Sequence, residues 1–437
     1  MPILSRNPMW ETFGLRALTY SLYGGADLGE CVTTVDRIGS DGTADDWHRE
    51  WTATADRITA IGKKSEQRGH RVSAREAYFR AATYYHVSYF PLYGSPVDRR
   101  LRAAFEAEVR VFRSAAALAE PAILPVEIPF EGRSLPGYFL LAEGDAGPKP
   151  TIVHVNGYDS NIQEMYFAHG PAATRRGYNC VLFDGPGQGR NLIRDGIPFR
   201  PDWETVVRAV IDSVRTRPEV DPDRIVLAGW SFGGFLAPRA AAFEKRIAAL
   251  IADPGQWDQG EALKKLPVPA EALADLNHTD PSVFAPLEEH LRSPQADPML
   301  RWRLIQRLFW VHGVDNLYDL AKEITRFQIS SVATRSVAPP CSPLPKAIPL
   351  PRDRALSTMR FKVPKRLWSS ALRKAAAATV NRSLADSTTN ASSTGWTKPC
   401  ISDTETSAHP ASPLWMPLSP DSAPYLPTQM ASEPACL

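Results

Sequence analysis

The sequence lacks long apolar runs, an excess of either charge and a leader-like start, and each absence excludes a class of protein. No stretch approaches the ~20 consecutive apolar residues that a membrane-spanning helix needs. The formal net charge is only +2, and basic residues are not clustered with aromatic ones, which argues against nucleic acid or an anionic membrane as a partner. The start, MPILSRNPMW, lacks the cationic and apolar regions of a signal peptide. We therefore expect a cytoplasmic protein without a membrane segment.

Cysteine is also scarce. There are five cysteines, of which only Cys31 and Cys180 precede residue 334. None has the spacing of a metal site, so we expect a reduced protein that holds neither a metal nor a cofactor. Hydrophobic residues make up 43% of the chain, so most of it can bury a core, and its length allows two or three domains. The sequence does not reveal the assembly state, and a homodimer stays open.

Glycine is almost absent from the C-terminal region. Residues 334–437 hold one of the 27 glycines, Gly395, but 15 of the 39 prolines. At an average usage of about 7%, several glycines would be expected over this length. The composition predicts a disordered tail over residues 334–437.

Three regions precede this tail. Residues 1–122 carry apolar side chains at helical spacing, and Ser73 with Glu76 fits a capping box for one of the helices. Between residues 123 and 260, apolar strands alternate with helices, which predicts a doubly wound, mostly parallel sheet with helices on both faces. Residues 261–333 are helical again. The two helical regions either only pack on the core or form a cap over an active site, and we favour the cap.

The strongest motif is GWSFG, at residues 229–233. An apolar strand precedes it and a helix follows it. The tight turn between the two needs small residues beside the serine, and it lifts the hydroxyl above the sheet at the helix N-terminus. We therefore predict that Ser231 is a nucleophile, and the alternative is a glycine-rich turn with an idle serine.

A nucleophilic serine needs an oxyanion hole. One donor should be the main-chain N–H of Phe232, and the second should come from the loop after the third strand. That loop reads NGYDS, residues 156–160, in which Gly157 allows close backbone approach, and we predict the N–H of Tyr158 as the second donor. NG is also a common turn pair, so a simple turn is the alternative. The next strand is followed by DGPGQG, residues 184–189, which we interpret as a structural turn because the lysine of a P-loop is absent.

Three motifs in order, behind a helical N-terminal region, resemble one branch of the α/β-hydrolases: HVNGYDSNIQEMYF, LFDGPGQGR and GWSFGG. That branch holds 2,6-dihydropseudooxynicotine hydrolase, the FrsA-like esterases and the polyketide-shortening hydrolases of fungal pigment pathways. The resemblance covers residues 40–333 and implies an α/β-hydrolase fold with a helical cap. It also implies a Ser-His-Asp triad that hydrolyses a C–C or ester bond next to a carbonyl in a small-molecule substrate. By motif match, Ser231 is the nucleophile, and Phe232 and Tyr158 supply the oxyanion donors.

The resemblance implies a triad acid and histidine later in the chain, in the order Ser, Asp, His, but neither is identifiable. His409, the only histidine of the tail, has no surroundings that would hold an imidazole, and no aspartate of the tail follows an apolar strand. Upstream, His312 and Asp315 are interpreted as surface or cap residues. His154, in a buried strand, and His169, on a helix, are interpreted as structural.

We therefore hypothesise that the tail is read in the wrong frame. In a shifted frame, each residue comes from the third base of one codon and the first two bases of the next. The permitted codons then allow a strand and an aspartate at the 347/348 junction, a second strand, and a glycine-rich turn with a histidine at the 378/379 junction. With the tail as given, the sheet would end at residue 253 with an apolar edge exposed, so we expect aggregation and collapsed activity.

Two other functions stay open. GWSFGG also occurs in prolyl-oligopeptidase-like proteins, so a peptidase or acyl esterase is one alternative, although no propeller-sized domain precedes the core. The other alternative is a non-catalytic remnant, in which the hydrolase scaffold binds ligands or has no activity.

Overall fold

The computed structural model of the chain describes residues 2–329 and residue 332. The predicted disordered tail, 334–437, and the hypothesis about its reading frame lie outside these residues. The described part combines an N-terminal helical region, a central sheet and a second helical region. Within it, no helix is both long and apolar enough to cross a bilayer.

The N-terminal region is helical, as the periodicity predicts. Its helices are α1 (Pro8–Thr19), α2 (Leu28–Ile38), α3 (Ala44–Gln67), α4 (Arg71–Ser88) and α5 (Arg99–Ala117), with 3₁₀ turns at Tyr20–Tyr23 and Phe90–Leu92. The capping box predicted at Ser73 is wrong, because α4 begins earlier and Ser73 lies inside its first turn. A capping box instead starts α3, where Thr43 and Asp46 each accept a hydrogen bond from the other's N–H.

Aromatic side chains form the core between these helices. Trp47 and Trp51 of α3 are fully buried, and Trp10 of α1 stacks on Trp47 with ring centroids 4.9 Å apart. Rings of this size bury a large apolar area, so they account for much of the stability of the helical packing.

A six-stranded sheet forms the centre of the chain. Its strands are β1 (Ile123–Phe130), β2 (Arg133–Leu140), β3 (Lys149–Val155), β4 (Asn179–Phe183), β5 (Val220–Trp230) and β6 (Ala249–Asp253). They lie in the order β1-β2-β4-β3-β5-β6, with antiparallel pairing from β1 to β4 and parallel pairing from β4 to β6. The predicted doubly wound, mostly parallel sheet is thus confirmed.

Helices connect the parallel strands and cover the sheet. They are α6 (Ile162–Thr174) after β3, α7 (Gly189–Ile193) and α8 (Trp203–Arg215) after β4, and α9 (Gly233–Phe243) after β5. The carboxyl ends of β3, β4 and β5 therefore lie at one edge of the sheet, which is where open α/β sheets bind ligands. The loop 156–160, the turn 184–189 and Ser231 follow these three ends.

The chain after β6 forms the second helical region. It contains 3₁₀ turns at Gln259–Lys265 and Pro281–Phe284 and the helices α10 (Ala270–Ala274), α11 (Ala285–Arg292), α12 (Pro298–Arg301), α13 (Phe309–His312) and α14 (Leu317–Thr325). Between α12 and α13 the chain is π-helical over Trp302–Leu308, so that residues 298–312 form one continuous helix. This region builds a small apolar core of its own around Phe284, Leu291 and Leu320.

Candidate active site

Ser231 lies at the bend between β5 and α9. Its φ is +56°, a left-handed value that is rare for a residue with a side chain. Its N–H donates to the carbonyl of Asp253 (2.8 Å), and its carbonyl accepts from the N–H of Gly234 (2.9 Å) and from Nε2 of Gln256 (2.8 Å). Such a conformation costs about 1–3 kcal/mol and persists only where the surroundings enforce it, which is most often at functional sites.

The glycines on both sides of Ser231 are required by backbone contacts. A Cβ on Gly229 would overlap the carbonyl of Gly233, and a Cβ on Gly233 would overlap the carbonyl of Val155. The start of α9 therefore packs directly against the end of β3, which brings Ser231 next to the loop that follows β3.

That loop lies directly beside the serine. A Cβ built on Gly157 would lie 2.8 Å from Cβ of Ser231, 3.1 Å from its Oγ and 3.2 Å from the amide nitrogen of Phe232. Within residues 2–329, the N–H groups of Tyr158 and Phe232 donate to no protein acceptor. Free amide donors beside a hydroxyl are what an oxyanion intermediate of acyl transfer requires.

The turn after β4 fixes the start of this loop. Gln188 donates from Nε2 to the carbonyl of Asn156 (2.8 Å) and accepts from the N–H of Gly185 (2.9 Å). Asn156 in turn donates to the carboxyl of Asp184 (2.9 Å). Asp184 is 1% exposed, and this burial raises the pKa of its carboxyl to about 8. DGPGQG thus forms a hydrogen-bonded turn beneath the candidate oxyanion loop.

His312, which the sequence suggested to be a surface or cap residue, is buried in the second helical region. It is 4% exposed, because α13 packs its side chain against the loop after β3, and its Nε2 lies 3.0 Å from the hydroxyl of Tyr158. Burial lowers the pKa of His312 to about 3, so the ring is neutral near pH 7. The ring of Tyr158 also stacks on Phe232, with centroids 4.1 Å apart. Asp315, by contrast, is exposed.

The chain matches two models of protein families. A model of the Alpha/beta hydrolase family matches residues 152–380, which is more than half of the chain. The chain belongs to the α/β-hydrolase family. A second model, Esterase FrsA-like, matches residues 35–255 and so includes most of the N-terminal helices. The family resemblance predicted from the three motifs is confirmed.

Fungal hydrolases are among the relatives of this α/β-hydrolase. Hydrolase acrC of Aspergillus aculeatus is 37% identical over 262 residues, which cover 56% of this chain and 61% of that protein. The 20-hydroxy-prefusarin hydrolase FUS2 of Gibberella moniliformis is 38% identical over 252 residues, which cover 56% of this chain and 60% of that protein. The chain thus spans about three fifths of the length of the curated relatives it matches.

A solved structure shares the fold. The crystal structure of the 2,6-dihydroxy-pseudo-oxynicotine hydrolase aligns with a TM-score of 0.57 at 24% identity. The alignment covers 74% of this chain and 79% of that one. The α/β-hydrolase architecture therefore extends over the helical regions as well as the sheet.

The described residues of this α/β-hydrolase provide no base for the serine. Within residues 2–329, no histidine or carboxylate hydrogen-bonds to the hydroxyl of Ser231. His154 and His169 stack on each other inside the core, with ring centroids 3.9 Å apart, and burial lowers the pKa of both. Their environment is that of packed, neutral rings rather than of a proton acceptor in a cleft.

The sequence did not reveal the contacts by which Gln188, Asp159 and Arg307 hold the candidate oxyanion loop in place. Gln188 lies in the motif DGPGQG, which the sequence analysis interpreted only as a structural turn. A polar side chain in such a turn is a signal from which its hydrogen bonds could have been expected. Asp159 and Arg307 form an ion pair with an N–O distance of 3.0 Å although they lie far apart in the chain. No local pattern links such residues, and only the tertiary fold brings them together.

Proposed function

We propose that this chain is a serine hydrolase of the kind that cleaves a C–C or ester bond next to a carbonyl in a small molecule, impaired in the given reading frame by the loss of the triad aspartate and histidine. Ser231 is the nucleophile, and the main-chain N–H groups of Phe232 and Tyr158 stabilise the oxyanion. The observation that carries the proposal is the strained Ser231 packed against Gly157, which lies between the two residues whose amides have no protein acceptor within residues 2–329, Tyr158 next to it in the chain and Phe232 next to it in space. The FrsA-like esterase match and the relative named a 20-hydroxy-prefusarin hydrolase support a small organic substrate.

The chemistry follows from this arrangement. Oγ of Ser231 attacks the carbonyl carbon, and the carbonyl oxygen takes up the negative charge that the two amides stabilise. One such donor is worth about 2.7–4 kcal/mol in the transition state, and the N-terminus of α9 adds partial positive charge close by. The serine proton must pass to a base, because a serine hydroxyl alone is a weak nucleophile.

The acid and base of the triad are, in this proposal, encoded after residue 333 in the shifted frame. The acid and the histidine follow the nucleophile in this family, and β6 is the last strand of the described sheet. Resequencing the genomic DNA and the messenger RNA over codons 325–400 tests the frame. Third bases that forbid an aspartate at the 347/348 junction or a histidine at 378/379 would rule it out.

Covalent labelling tests the nucleophile. The full chain should be labelled slowly by a fluorophosphonate at Ser231, because without a base only the oxyanion hole assists the serine. Ser231→Ala should remove all labelling, while Ser282→Ala, at an exposed serine, should not change it. Peptide mapping identifies the modified residue, and turnover of p-nitrophenyl esters is measured alongside. Labelling that persists in Ser231→Ala would contradict the proposal.

A non-catalytic remnant is the second candidate. It is favoured by one observation, that no histidine within residues 2–329 reaches the hydroxyl of Ser231. Labelling of Ser231 without ester turnover, also in a chain rebuilt in the shifted frame, would support this candidate, because the bend at Ser231 (the nucleophile elbow) and the oxyanion hole would then act without a complete triad.

A further inference from the structure

Two side chains of one helix contact the candidate oxyanion loop. Nη1 of Arg307 lies 3.0 and 3.1 Å from the two carboxylate oxygens of Asp159. Five residues further along the same helix, Nε2 of His312 lies 3.0 Å from the hydroxyl of Tyr158. The helix 298–312 thus contacts both the residue that carries the candidate donor amide and the residue next to it.

Asp159 is also held from the opposite side. Nη1 of the buried Arg16, on α1, lies 3.3 Å from its carboxylate, and the hydroxyl of Tyr93 donates to its main-chain carbonyl (3.2 Å). The carboxylate is only 12% exposed and Arg16 only 4%. Charge-assisted hydrogen bonds in such poorly hydrated surroundings are stronger and more directional than on a surface. The loop is therefore clamped between the two helical regions.

Tyr158 connects this clamp to the second donor. Its ring stacks on Phe232 with centroids 4.1 Å apart and an interplanar angle of 15°, and the guanidinium of Arg307 lies 5.5 Å from the centroid of the Tyr158 ring. His312 packs its ring edge against the same tyrosine, 5.5 Å between centroids. Displacement of this tyrosine would therefore shift the main chain at Tyr158 and disturb the packing of Phe232, the two residues that carry the candidate donor amides.

The helix that carries Arg307 and His312 is itself anchored. Nε1 of Trp302 donates to the carbonyl of Phe90 (2.6 Å), and Nε2 of Gln306 donates to that of Pro91 (3.3 Å). Its π-helical part, which holds Arg307, is a conformation that is rare in proteins and is frequently found at functional sites. The helix thus meets the loop from a fixed position.

We propose that Arg307 and His312 are positioning residues that hold the amide of Tyr158 toward the reacting carbonyl. The inference rests on the proposed function, since it assigns a role in the same oxyanion hole. It makes the second helical region part of the catalytic geometry as well as a cover. The competing view is that both side chains only support the fold.

The test measures the rate of Ser231 labelling separately from the fraction of protein that reacts. In Arg307→Met and His312→Leu, the second-order rate constant with a fluorophosphonate should fall about 10- to 100-fold, as expected for misplaced reacting groups. The final labelled fraction should stay that of the wild type, because folded protein still carries an intact serine. Arg326→Met, at an exposed arginine that pairs with Glu323 on α14, is the matched control and should leave the rate unchanged.

Conservative variants sharpen the test. His312→Gln keeps a side-chain hydrogen-bonding group for Tyr158 and should recover most of the rate, and Arg307→Lys, which keeps the charge, should recover part of it. Unchanged rate constants in Arg307→Met and His312→Leu would overturn the inference. A lower labelled fraction with an unchanged rate would do the same, since it would show support of the fold alone. Absence of labelling in the wild type and in the chain rebuilt in the shifted frame would instead reject the proposed function.

Discussion

The candidate site has two sides, the nucleophile Ser231 with its neighbouring loop and the proton acceptor that the serine requires. Residues 2–329 fix the first side by hydrogen bonds and contain no group bonded to the serine hydroxyl for the second. On the nucleophile side, Ser231 is fixed by three hydrogen bonds at its own main chain, and Gln188 fixes the loop opposite. On the acceptor side, no histidine within residues 2–329 bonds to the serine hydroxyl. The bend at Ser231 and the candidate oxyanion loop are thus built by strands β3 to β6 and the helices around them.

The two edges of the sheet show the same contrast. At the β1 edge, the exposed Glu127 pairs with Arg190 at 2.8 Å, and exposed positions alternate with less exposed ones over residues 124–130. At the other edge, β6 presents Leu250 and Ile251 half-buried, and no strand of the described residues pairs with its outer side. An uncovered apolar strand edge is a site for aggregation. The sheet is therefore completed on one side only within the described part.

Restoring the acceptor side should have the largest effect. A chain rebuilt in the shifted frame from codon 333 should turn over p-nitrophenyl esters at least about 10⁴-fold faster than the given chain, because loss of triad members costs about that much or more. It should also remain in the soluble fraction, since β6 would gain neighbours. Steady-state kinetics and sedimentation of lysates measure both.

Ser231→Ala in the rebuilt chain is the control for this comparison, and it should return turnover to background. Equal turnover by the rebuilt and the given chain would mean that the given chain already contains the proton acceptor. The contrast between the two sides of the site would then be false.

Crowding the nucleophile side should have the next largest effect. In Gly233→Ala, the added methyl would overlap the carbonyl of Val155, which is backbone and cannot move aside. We expect a loss of about 1–3 kcal/mol in the free energy of unfolding, as for an overpacked core, together with slower labelling of Ser231. Gly255→Ala is the matched control, because its methyl would meet only Cβ of Ala252 at 3.9 Å. Equal thermal midpoints for the two variants would contradict the packing of α9 on β3.

The sequence predicted the parts of this site that depend on local pattern. An apolar strand followed by GWSFG predicted the elbow at Ser231, because the turn admits only small residues beside the serine. The same reasoning placed the loop 156–160 beside it. Alternating strands and helices predicted the sheet, since hydrophobic periodicity directly reflects burial.

The sequence could not predict the parts that depend on distant contacts. The periodicity around His312 indicates a helix but not which face of the helix is covered. It therefore predicts only that His312 is a surface or cap residue. The capping box at Ser73 failed for a similar reason, because α4 starts two residues earlier with no side-chain cap. A motif fixes residue types at short spacing, whereas the clamp on Asp159 is set by tertiary packing alone.

A smaller effect is expected from Gln188→Met, which tests how firmly the nucleophile side is held. The variant loses the hydrogen bonds to Asn156 and Gly185 and leaves a buried carbonyl without a donor, which costs about 1–3 kcal/mol. The rate constant for labelling of Ser231 should fall about tenfold as the loop loosens. Gln67→Met, at the exposed end of α3, is the control. A wild-type rate in Gln188→Met would show that the turn after β4 does not position the loop.

The smallest effect concerns pH and the buried carboxyl of Asp184. Burial raises the pKa of Asp184 from 3.8 to about 8, so folding favours its protonated form. Its contribution to stability is fully present below pH 3.8 and is lost as pH rises through about 8. In Asp184→Asn the side chain cannot ionise, so the advantage of the variant in thermal midpoint should grow from pH 4.5 to 8.5 by a few degrees, at about 2–8 °C per kcal/mol. The buried histidines affect both proteins equally, so they cancel in the difference.

Asp221→Asn, at a carboxylate whose pKa Arg224 lowers, should show no such growth. A constant difference for Asp184→Asn across this range would mean that the turn beneath the oxyanion loop carries a charge, and that Asn156 is held by a carboxylate rather than by a neutral acid.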